Sequence, residues 1–227
     1  MKLEIRNTRD DKSQPINVVV YGDSGVGKTS LVKQLPSEET LVISAEGGLL
    51  SIKDHDVDYV SVKSVEDVLS ILNQVAASKY KHVFIDSITE LSQNHFTFLK
   101  AKYDQVEIDE KKKPGSMGIK VWGDFLEDFS KMFKTLRDMR KNVVAISLLK
   151  EKENEIGMVV KSPDIYGKSS DRIMAWFDEV FFMHMSKDGN RKFLTEKGAV
   201  TAAKDRSGKL EKIEDADIAM IIKKING

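Results

Sequence analysis

Cysteine is absent from the 227 residues, which excludes disulfides, thiolate zinc sites and cysteine nucleophiles. The four histidines are scattered without metal-ligand spacing, so a zinc enzyme is not expected. No run approaches the roughly 18 apolar residues of a membrane-spanning helix, and the start, Met1–Arg6, has no apolar signal region. We therefore expect a cytoplasmic protein that does not contact a membrane.

Proline and glycine are few, at 4 and 14, while 41% of the residues are hydrophobic. Such a composition can bury a sizeable core and is not that of a disordered chain. Lysine plus arginine and aspartate plus glutamate number 36 each, which argues against a uniformly basic coat for nucleic acid but leaves local basic patches open. We predict an arm over residues 1–15 and one domain over 16–227.

Short apolar runs alternate with amphipathic stretches along the chain. The runs predict strands, and their continuous apolar character is typical of buried parallel strands. Ser64 and Asp67 predict a capped helix start, and a polar loop is expected between two helices at Tyr103–Gly118. A charged loop should follow at Lys150–Lys168, then a helix near Ser170–Trp176. Further expected elements are strands at 16–21, 41–44, 59–62, 82–86, 142–148 and 200–202, a hairpin at 179–195, and helices from Lys28, at 87–102, 120–140 and 215–224.

This order predicts an α/β fold with a mainly parallel central sheet flanked by helices and an antiparallel C-terminal edge. One segment fits the phosphate-binding pattern G-x-x-x-x-G-K-[ST] at every fixed position, and it lies between a predicted strand and a predicted helix. Its Lys28 should reach the β- and γ-phosphates, and the Thr29 hydroxyl should bind Mg²⁺. The predicted nucleotide-binding residues are Gly22, Asp23, Ser24, Gly25, Val26, Gly27, Lys28, Thr29 and Ser30.

Asp86 ends the predicted strand Val83–Asp86. A P-loop NTPase holds Mg²⁺ partly through such a strand-end carboxylate, so we expect Asp86 to be a metal ligand. It could also cap the following helix, and both roles are compatible. The residue after it is Ser87 rather than the glutamate that many ATPases use to activate water. Glu46, after the strand at 41–44, is the better candidate base, although a solvated loop glutamate is the alternative.

The phosphate loop also resembles that of small GTPases, but the guanine-reading Asn-Lys-x-Asp is missing, so we expect ATP. Taken together, the residues resemble the RecA-like P-loop ATPases (RecA, RadA and KaiC), and most of all the phage nucleotide-binding proteins of single-strand annealing. The similar segments are Ser44-Ala45-Glu46, Asp86–Leu91, Gly167-Lys168 and Lys204-Asp205-Arg206. Ser44 departs from the aspartate of the RecA segment. The resemblance covers about residues 16–210 and implies an ATPase in which Glu46 activates water.

In RecA-like assemblies a late lysine or arginine reaches the ATP of the neighbouring subunit. The resemblance assigns this role to Lys204 and Arg206, with charge stabilisation of the transferring phosphoryl group as its physics. A solvated turn pair is the alternative. The role implies a homo-oligomer, because such residues do not reach their own subunit's nucleotide. Ser147 is a candidate for the polar sensor that recombinases place after the corresponding strand.

The same resemblance places single-stranded DNA contacts at two loops, about Tyr103–Lys120 and Lys150–Lys168. In the first, Lys111–Lys113 could contact phosphates and Tyr103 or Trp122 could stack on a base. A solvated charge run and a core tryptophan are the alternatives.

Two functional hypotheses are therefore favoured. The first is an oligomeric Mg²⁺-dependent ATPase acting on single-stranded DNA in phage recombination or annealing. The second is an ATP-gated module, such as a helicase loader or assembly ATPase, that holds a phage replication or recombination protein. A small-molecule kinase is weaker, because no arginine-rich lid pattern is present and Glu46, Lys204 and Arg206 would have no evident role there.

Overall fold

A computed structural model describes residues 14–167 and 174–227. One sheet contains all of the strands of this part of the chain. The strands are β1 Asn17–Gly22, β2 Thr40–Ser44, β3 Asp58–Ser61, β4 His82–Asp86, β5 Asn142–Glu153, β6 Val159–Pro163, β7 Glu179–Met185, β8 Arg191–Leu194, β9 Lys204–Asp205 and β10 Ile213–Asp215. The α-helices are α1 Val65–Val75, α2 Ile88–Asp109, α3 Gly118–Asp138 and α4 Ile218–Asn226.

The sheet has the order β10-β8-β7-β1-β5-β4-β2-β3, with β6 paired to β5 and β9 paired to β7. All neighbours from β7 through β1 to β3 are parallel. The pairs that involve β6, β8, β9 and β10 are antiparallel. The predicted fold class is therefore confirmed. Because β1 lies between β5 and β7, the loop after β1 emerges at the centre of the carboxyl edge of the sheet, where ligands of such folds bind.

The central strand β1 is buried on both faces. Val19 and Tyr21 pack in one core layer with residues of α1, α2 and α3. Val18 and Val20 pack in a second layer with side chains such as Leu31 and Ile218. Successive residues of a strand point to opposite faces, so two covered faces require the continuous apolar run that the sequence has at this strand.

Helix α1 begins as predicted. The Ser64 hydroxyl accepts from the Asp67 N–H, and the Asp67 carboxylate accepts from the Ser64 N–H. Helix α2 is longer than predicted, because it continues through Tyr103 to Asp109. Buried Glu107 holds the tight connection to α3 by accepting from the N–H groups of Gly115 and Met117, each at 2.7 Å. The predicted loop at Tyr103–Gly118 is thus wrong over its first half.

Three other local predictions need correction. The charged loop at Lys150–Lys168 is for the most part a β-ribbon, in which β5 continues to Glu153 and pairs with β6. The helix expected from Lys28 is a short 3-10 helix, Thr29–Gln34. The strand at 200–202 is a single bridge from Thr201 to Lys161. Most of the helix predicted near Ser170–Trp176, and most of the N-terminal arm, lie outside the described residues, as does Lys168.

The hairpin predicted at 179–195 is formed by β7 and β8. Helix α4 is capped by Asp217, whose carboxylate accepts from the Met220 N–H at 3.0 Å. Within residues 14–167 and 174–227, no helix has the length and apolar character to cross a bilayer.

Candidate functional site: a phosphate-binding loop at the sheet edge

The phosphate loop leaves β1 at Gly22 and enters the 3-10 helix at Thr29. Gly25 and Gly27 have φ angles of +77° and +100°. Residues with a Cβ rarely adopt these backbone angles. A Cβ at Gly22 would lie 2.4 Å from the carbonyl oxygen of Met183 on β7. The glycines are therefore needed for the loop conformation and for its close approach to the neighbouring strand.

Lys28 is buried at the base of this loop. Its Nζ donates to the carbonyl oxygens of Gly22 at 2.9 Å and Asp23 at 2.7 Å. Burial lowers the pKa of Lys28, and the charges of Glu46, Asp23 and Asp86 oppose that shift. The ammonium group thus lies among carboxylates and carbonyls at the position where anionic phosphates would meet the loop N–H groups.

Asp86 and Thr29 form a donor set that suits Mg²⁺. Burial raises the pKa of Asp86 to about 6, a hydrogen bond with the Thr29 side chain opposes the shift, and the Glu46 charge adds to it. Among the residues described, Asp86 Oδ1 is a buried oxygen without a hydrogen-bond partner. Buried polar atoms are rarely left unsatisfied, and hydroxyl and carboxylate oxygens are ligands that Mg²⁺ prefers. These two residues therefore fit a magnesium ion.

Glu46 follows β2 and is held by a side chain that follows β4. Its Oε1 accepts from the Ser87 hydroxyl at 2.7 Å, and the Ser87 oxygen also accepts from the Glu90 N–H at 3.2 Å at the start of α2. Ser44, which departs from the RecA pattern, accepts from the Gly47 N–H at 3.3 Å. Ser87 thus orients Glu46, and Ser44 helps hold the turn that carries it.

A cavity of about 280 Å³ joins these elements. Gly22, Asp23 and Val26 do not line it, whereas the other predicted nucleotide-binding residues, Glu46 and Asp86 do. Its lining residues are Ser24, Gly25, Gly27, Lys28, Thr29, Ser30, Glu46, Ser51, Asp86, Ser87, Ile146, Leu148 and Arg191. Residues far apart in sequence are therefore brought to one concave site that contains two cations, Lys28 and Arg191, and two carboxylates beside the phosphate loop.

Sequence reasoning did not assign five of the lining residues to this site: Ser51, Ser87, Ile146, Leu148 and Arg191. Of these, Ser87 and Arg191 contact residues that it did assign. Ser87 belongs to the segment Asp86–Leu91 that resembles the family, but sequence reasoning gave it no role in the site, although its position at a predicted helix start directly after Asp86 was a usable signal. Arg191 gave no sequence signal, because its approach to the loop depends on how β8 pairs with β7. Ser147, the candidate sensor, is fully buried and points away from the cavity: its hydroxyl contacts the Thr89 hydroxyl at 3.0 Å.

Lys204 and Arg206 are outside the cavity. Strand β9 pairs with the first residues of β7, where Lys204 lies opposite Val180, and this is the end of the sheet away from the phosphate loop. Lys204 Nζ donates to the carbonyl oxygens of Met174 and Phe177. Arg206 is exposed and forms an ion pair with Asp178 at 2.8 Å. The structure thus does not bring either residue to the phosphate loop of its own chain.

The aromatic candidates for base stacking differ in exposure. Tyr103 is buried and donates its hydroxyl to Asp124, so its ring is not available to a base. Trp122 is 37% exposed and stacks on Tyr166, with 5.6 Å between ring centroids and an interplanar angle of 12°. Lys111–Lys113 lie in the exposed turn between α2 and α3, and Lys112 pairs there with Glu110 at 2.5 Å.

Comparison with solved structures includes a match to a KaiC-like protein from the hyperthermophilic archaeon Pyrococcus horikoshii OT3. The identity is 13% and the TM-score 0.49, over 82% of this chain and 80% of that one. No curated protein matches this chain. A family model described as AAA domain (AAA_24) matches residues 14–207, a span that includes the phosphate loop, Glu46, Asp86 and Arg206. The chain therefore belongs to this family of AAA-type P-loop ATPase domains.

Proposed function

We propose that the protein is an oligomeric, Mg²⁺-dependent ATPase that couples ATP hydrolysis to binding of single-stranded DNA in phage recombination or strand annealing. The observation that carries the hydrolytic part is the contact between Glu46 Oε1 and Ser87 Oγ at 2.7 Å. It holds a carboxylate in the same cavity as Lys28, Thr29 and Asp86. A solvated loop glutamate would not need such an orienting partner.

Each residue then has one role in hydrolysis. Glu46 accepts a proton from the attacking water and fixes its direction, with Ser87 holding the carboxylate. Lys28 exchanges its bonds to the loop carbonyls for bonds to phosphate oxygens, where its charge stabilises the transition state. Thr29 and Asp86 would hold Mg²⁺, which would supply positive charge against the phosphates. The Asp86 carboxylate must be ionised for this.

The hydrolytic proposal is tested with Glu46→Gln and Ser87→Ala. Glu46→Gln should retain ATP binding and lose turnover by orders of magnitude, because the amide cannot accept the proton. Ser87→Ala should slow turnover less, since the carboxylate remains but is no longer held. Glu38→Gln changes an exposed glutamate before β2 and serves as the matched control. Normal turnover in Glu46→Gln would show that another group activates water.

Binding to DNA is supported by charge at a second cavity, of about 700 Å³, beside the β5–β6 ribbon. Lys150, Lys152, Lys197 and Lys204 border it together with Glu153, and lysine clusters favour phosphate backbones. Lys204 is bonded to two backbone carbonyls and Lys150 pairs with Asp164 at 3.6 Å, so these two are partly neutralised. A hydrogen-bond link also joins the ribbon to the nucleotide site. Thr89, two residues after Ser87, accepts from the Leu148 N–H at 2.9 Å and donates to the Asp164 carbonyl at 2.7 Å.

The coupling is tested by the rate of ATP hydrolysis at low salt with and without single-stranded DNA, with Lys28→Ala as the blank. We expect stimulation by DNA, and loss of that stimulation with retained basal turnover in Lys150→Ala/Lys152→Ala. Lys131→Ala/Lys134→Ala changes two lysines on α3 and is the control. Equal rates with and without DNA would contradict DNA coupling and leave the P-loop ATPase standing.

The alternative, an ATP-gated protein-interaction module, is favoured by exposed apolar side chains. Ile108 and Ile119, where α2 ends and α3 begins, are 69% and 92% exposed, and Ile156 on the ribbon turn is 76% exposed. Nucleotide-dependent retention of a phage replication or recombination protein, together with turnover that DNA does not alter, would support this function instead. Retention should then be lost in Ile119→Asp.

A further inference from the structure

Strand β8 carries Arg191 to the edge of the sheet that holds the phosphate loop. Strand β7 runs parallel to β1, so both end at the same edge, and β8 returns antiparallel with Arg191 opposite Met185. The backbone carbonyl of Arg191 accepts a hydrogen bond from the Ala216 N–H at 3.1 Å. The backbone of Arg191 is thus fixed between β7 and the segment before α4, within side-chain reach of the loop.

The guanidinium group lies directly on Gly27 of the loop. A Cβ built on Gly27 would be 2.7 Å from Arg191 Cζ and 2.9 Å from Arg191 Nε. Arg191 also lines the 280 Å³ cavity. Gly27 is therefore constrained by its positive φ and by the packed guanidinium, and Arg191 adds a second cation, besides Lys28, to the lining of the cavity.

Arg191 has no acidic partner within ion-pair distance among residues 14–167 and 174–227. Its neighbour Lys192, by contrast, pairs with Asp215 at 2.5 Å. A charge left unpaired beside an anion-binding loop attracts the ligand of that loop more strongly than a charge that is already paired. The guanidinium also presents several N–H donors in a plane, which suits two phosphate oxygens at once.

The sheet order decides which part of a nucleotide Arg191 faces. Glu46 and Asp86 follow β2 and β4, which lie on the β5 side of β1. Arg191 comes from β8, on the β7 side. The carboxylates mark the flank where the attacking water and the γ-phosphate must lie. A cation on the opposite flank therefore faces the part of the nucleotide that ADP and ATP share.

We propose that Arg191 binds the α- and β-phosphates of the nucleotide held by its own chain, and so sets affinity for ADP and ATP alike without acting on the γ-phosphate. This assignment rests on the proposed ATPase function. The two arginines thus have different predicted roles. Arg191 would set affinity for the nucleotide of its own chain, whereas Arg206 would act on turnover of the nucleotide of a neighbouring subunit.

The test is equilibrium binding of fluorescent mant-ADP and mant-ATP, with steady-state ATPase rates, for wild type, Arg191→Ala and Arg191→Lys. Arg191→Ala should weaken binding of both nucleotides by roughly 10- to 100-fold, the usual range for a lost charge-assisted contact, and change kcat at saturating ATP by less than about twofold. Arg191→Lys should recover part of the affinity, because charge returns without the planar donor set.

Lys187→Ala, which removes one exposed cation from the β7–β8 turn, controls for a general loss of positive charge and should bind both nucleotides like wild type. Since Arg191 is exposed, its variants should unfold at the wild-type temperature. Wild-type affinity for ADP in Arg191→Ala overturns the assignment, as does a loss confined to ATP and kcat. Wild-type protein that binds no nucleotide contradicts the proposed function itself, and the assignment falls with it.

Discussion

Glu179 at the start of β7 should make the stability of the fold depend on pH near neutrality. The side chain is 1% exposed, and burial raises its pKa to about 8, with the charge of nearby Asp205 adding to the shift. Its Oε1 accepts from the Ser207 N–H at 3.2 Å. Burial alone would raise the pKa of Asp205, but hydrogen bonds from Ser207, Leu210 and Gly208 lower it, so the folded protein holds the proton on Glu179.

The sign follows from linkage. The folded-state pKa of about 8 lies above the ordinary 4.5, so the stabilisation is complete below pH 4.5 and is lost as pH rises through 8. One pKa unit corresponds to about 1.4 kcal/mol. Between pH 6 and pH 8 the free energy of unfolding should therefore fall by about 2 kcal/mol through this group alone.

Glu179→Gln removes the titration but keeps an uncharged side chain of similar shape, whose amide oxygen can still accept from the Ser207 N–H. Urea unfolding of both proteins at pH 6 and pH 8 measures the effect. The variant should lose about 2 kcal/mol less than wild type over this interval. Glu196→Gln, at an exposed position, should follow wild type. An equal pH dependence in wild type and Glu179→Gln would refute the assignment of the proton to Glu179.

Three further outcomes are expected. Arg206→Ala should lower ATP turnover at least about tenfold with unchanged nucleotide affinity, since its predicted role is on the phosphates bound by a neighbouring subunit, whereas Arg137→Ala, from another exposed ion pair, should not; normal turnover in Arg206→Ala would contradict that predicted role. The Mg²⁺ concentration needed for half-maximal turnover should rise as pH falls through 6, where Asp86 takes up a proton. If this concentration does not change with pH, Asp86 is not a metal ligand. His95→Ala should cost roughly 2–4 kcal/mol in urea unfolding, because this buried ring contacts α1 and α3 at 3.3 and 3.1 Å; a loss under about 1 kcal/mol would contradict that role.

The parts of this fold that sequence predicts are those determined by local rules. The Ser64–Asp67 capping box depends on residues three apart, and it is present as predicted. The phosphate loop depends on glycines within one turn. Strand β1 was evident because burial on both faces leaves a continuous apolar run.

The remaining differences come from contacts between distant segments. Helix α2 continues past Tyr103 because Glu107 receives two N–H groups from the chain's own return towards α3, which no local pattern specifies. The end of β5 in the ribbon, Lys150–Glu153, consists of charged residues, so it lacks the alternating apolar positions by which strands are recognised. Arg191 reaches Gly27 only through the pairing of β8 with β7.

The residues on the two sides of β1 have different proposed roles. The β5 flank contributes Glu46, Ser87 and Asp86, to which we assign hydrolysis in the proposed function, and through Thr89 it connects to the ribbon beside the lysine-rich cavity. The β7 flank contributes Arg191. A ligand on the ribbon that shifts the segment after Ser87 would therefore alter hydrolysis more than nucleotide retention. DNA should accordingly change kcat with little change in the affinity for ADP, which is the pattern that distinguishes a stimulated ATPase from a nucleotide-gated holder of another protein.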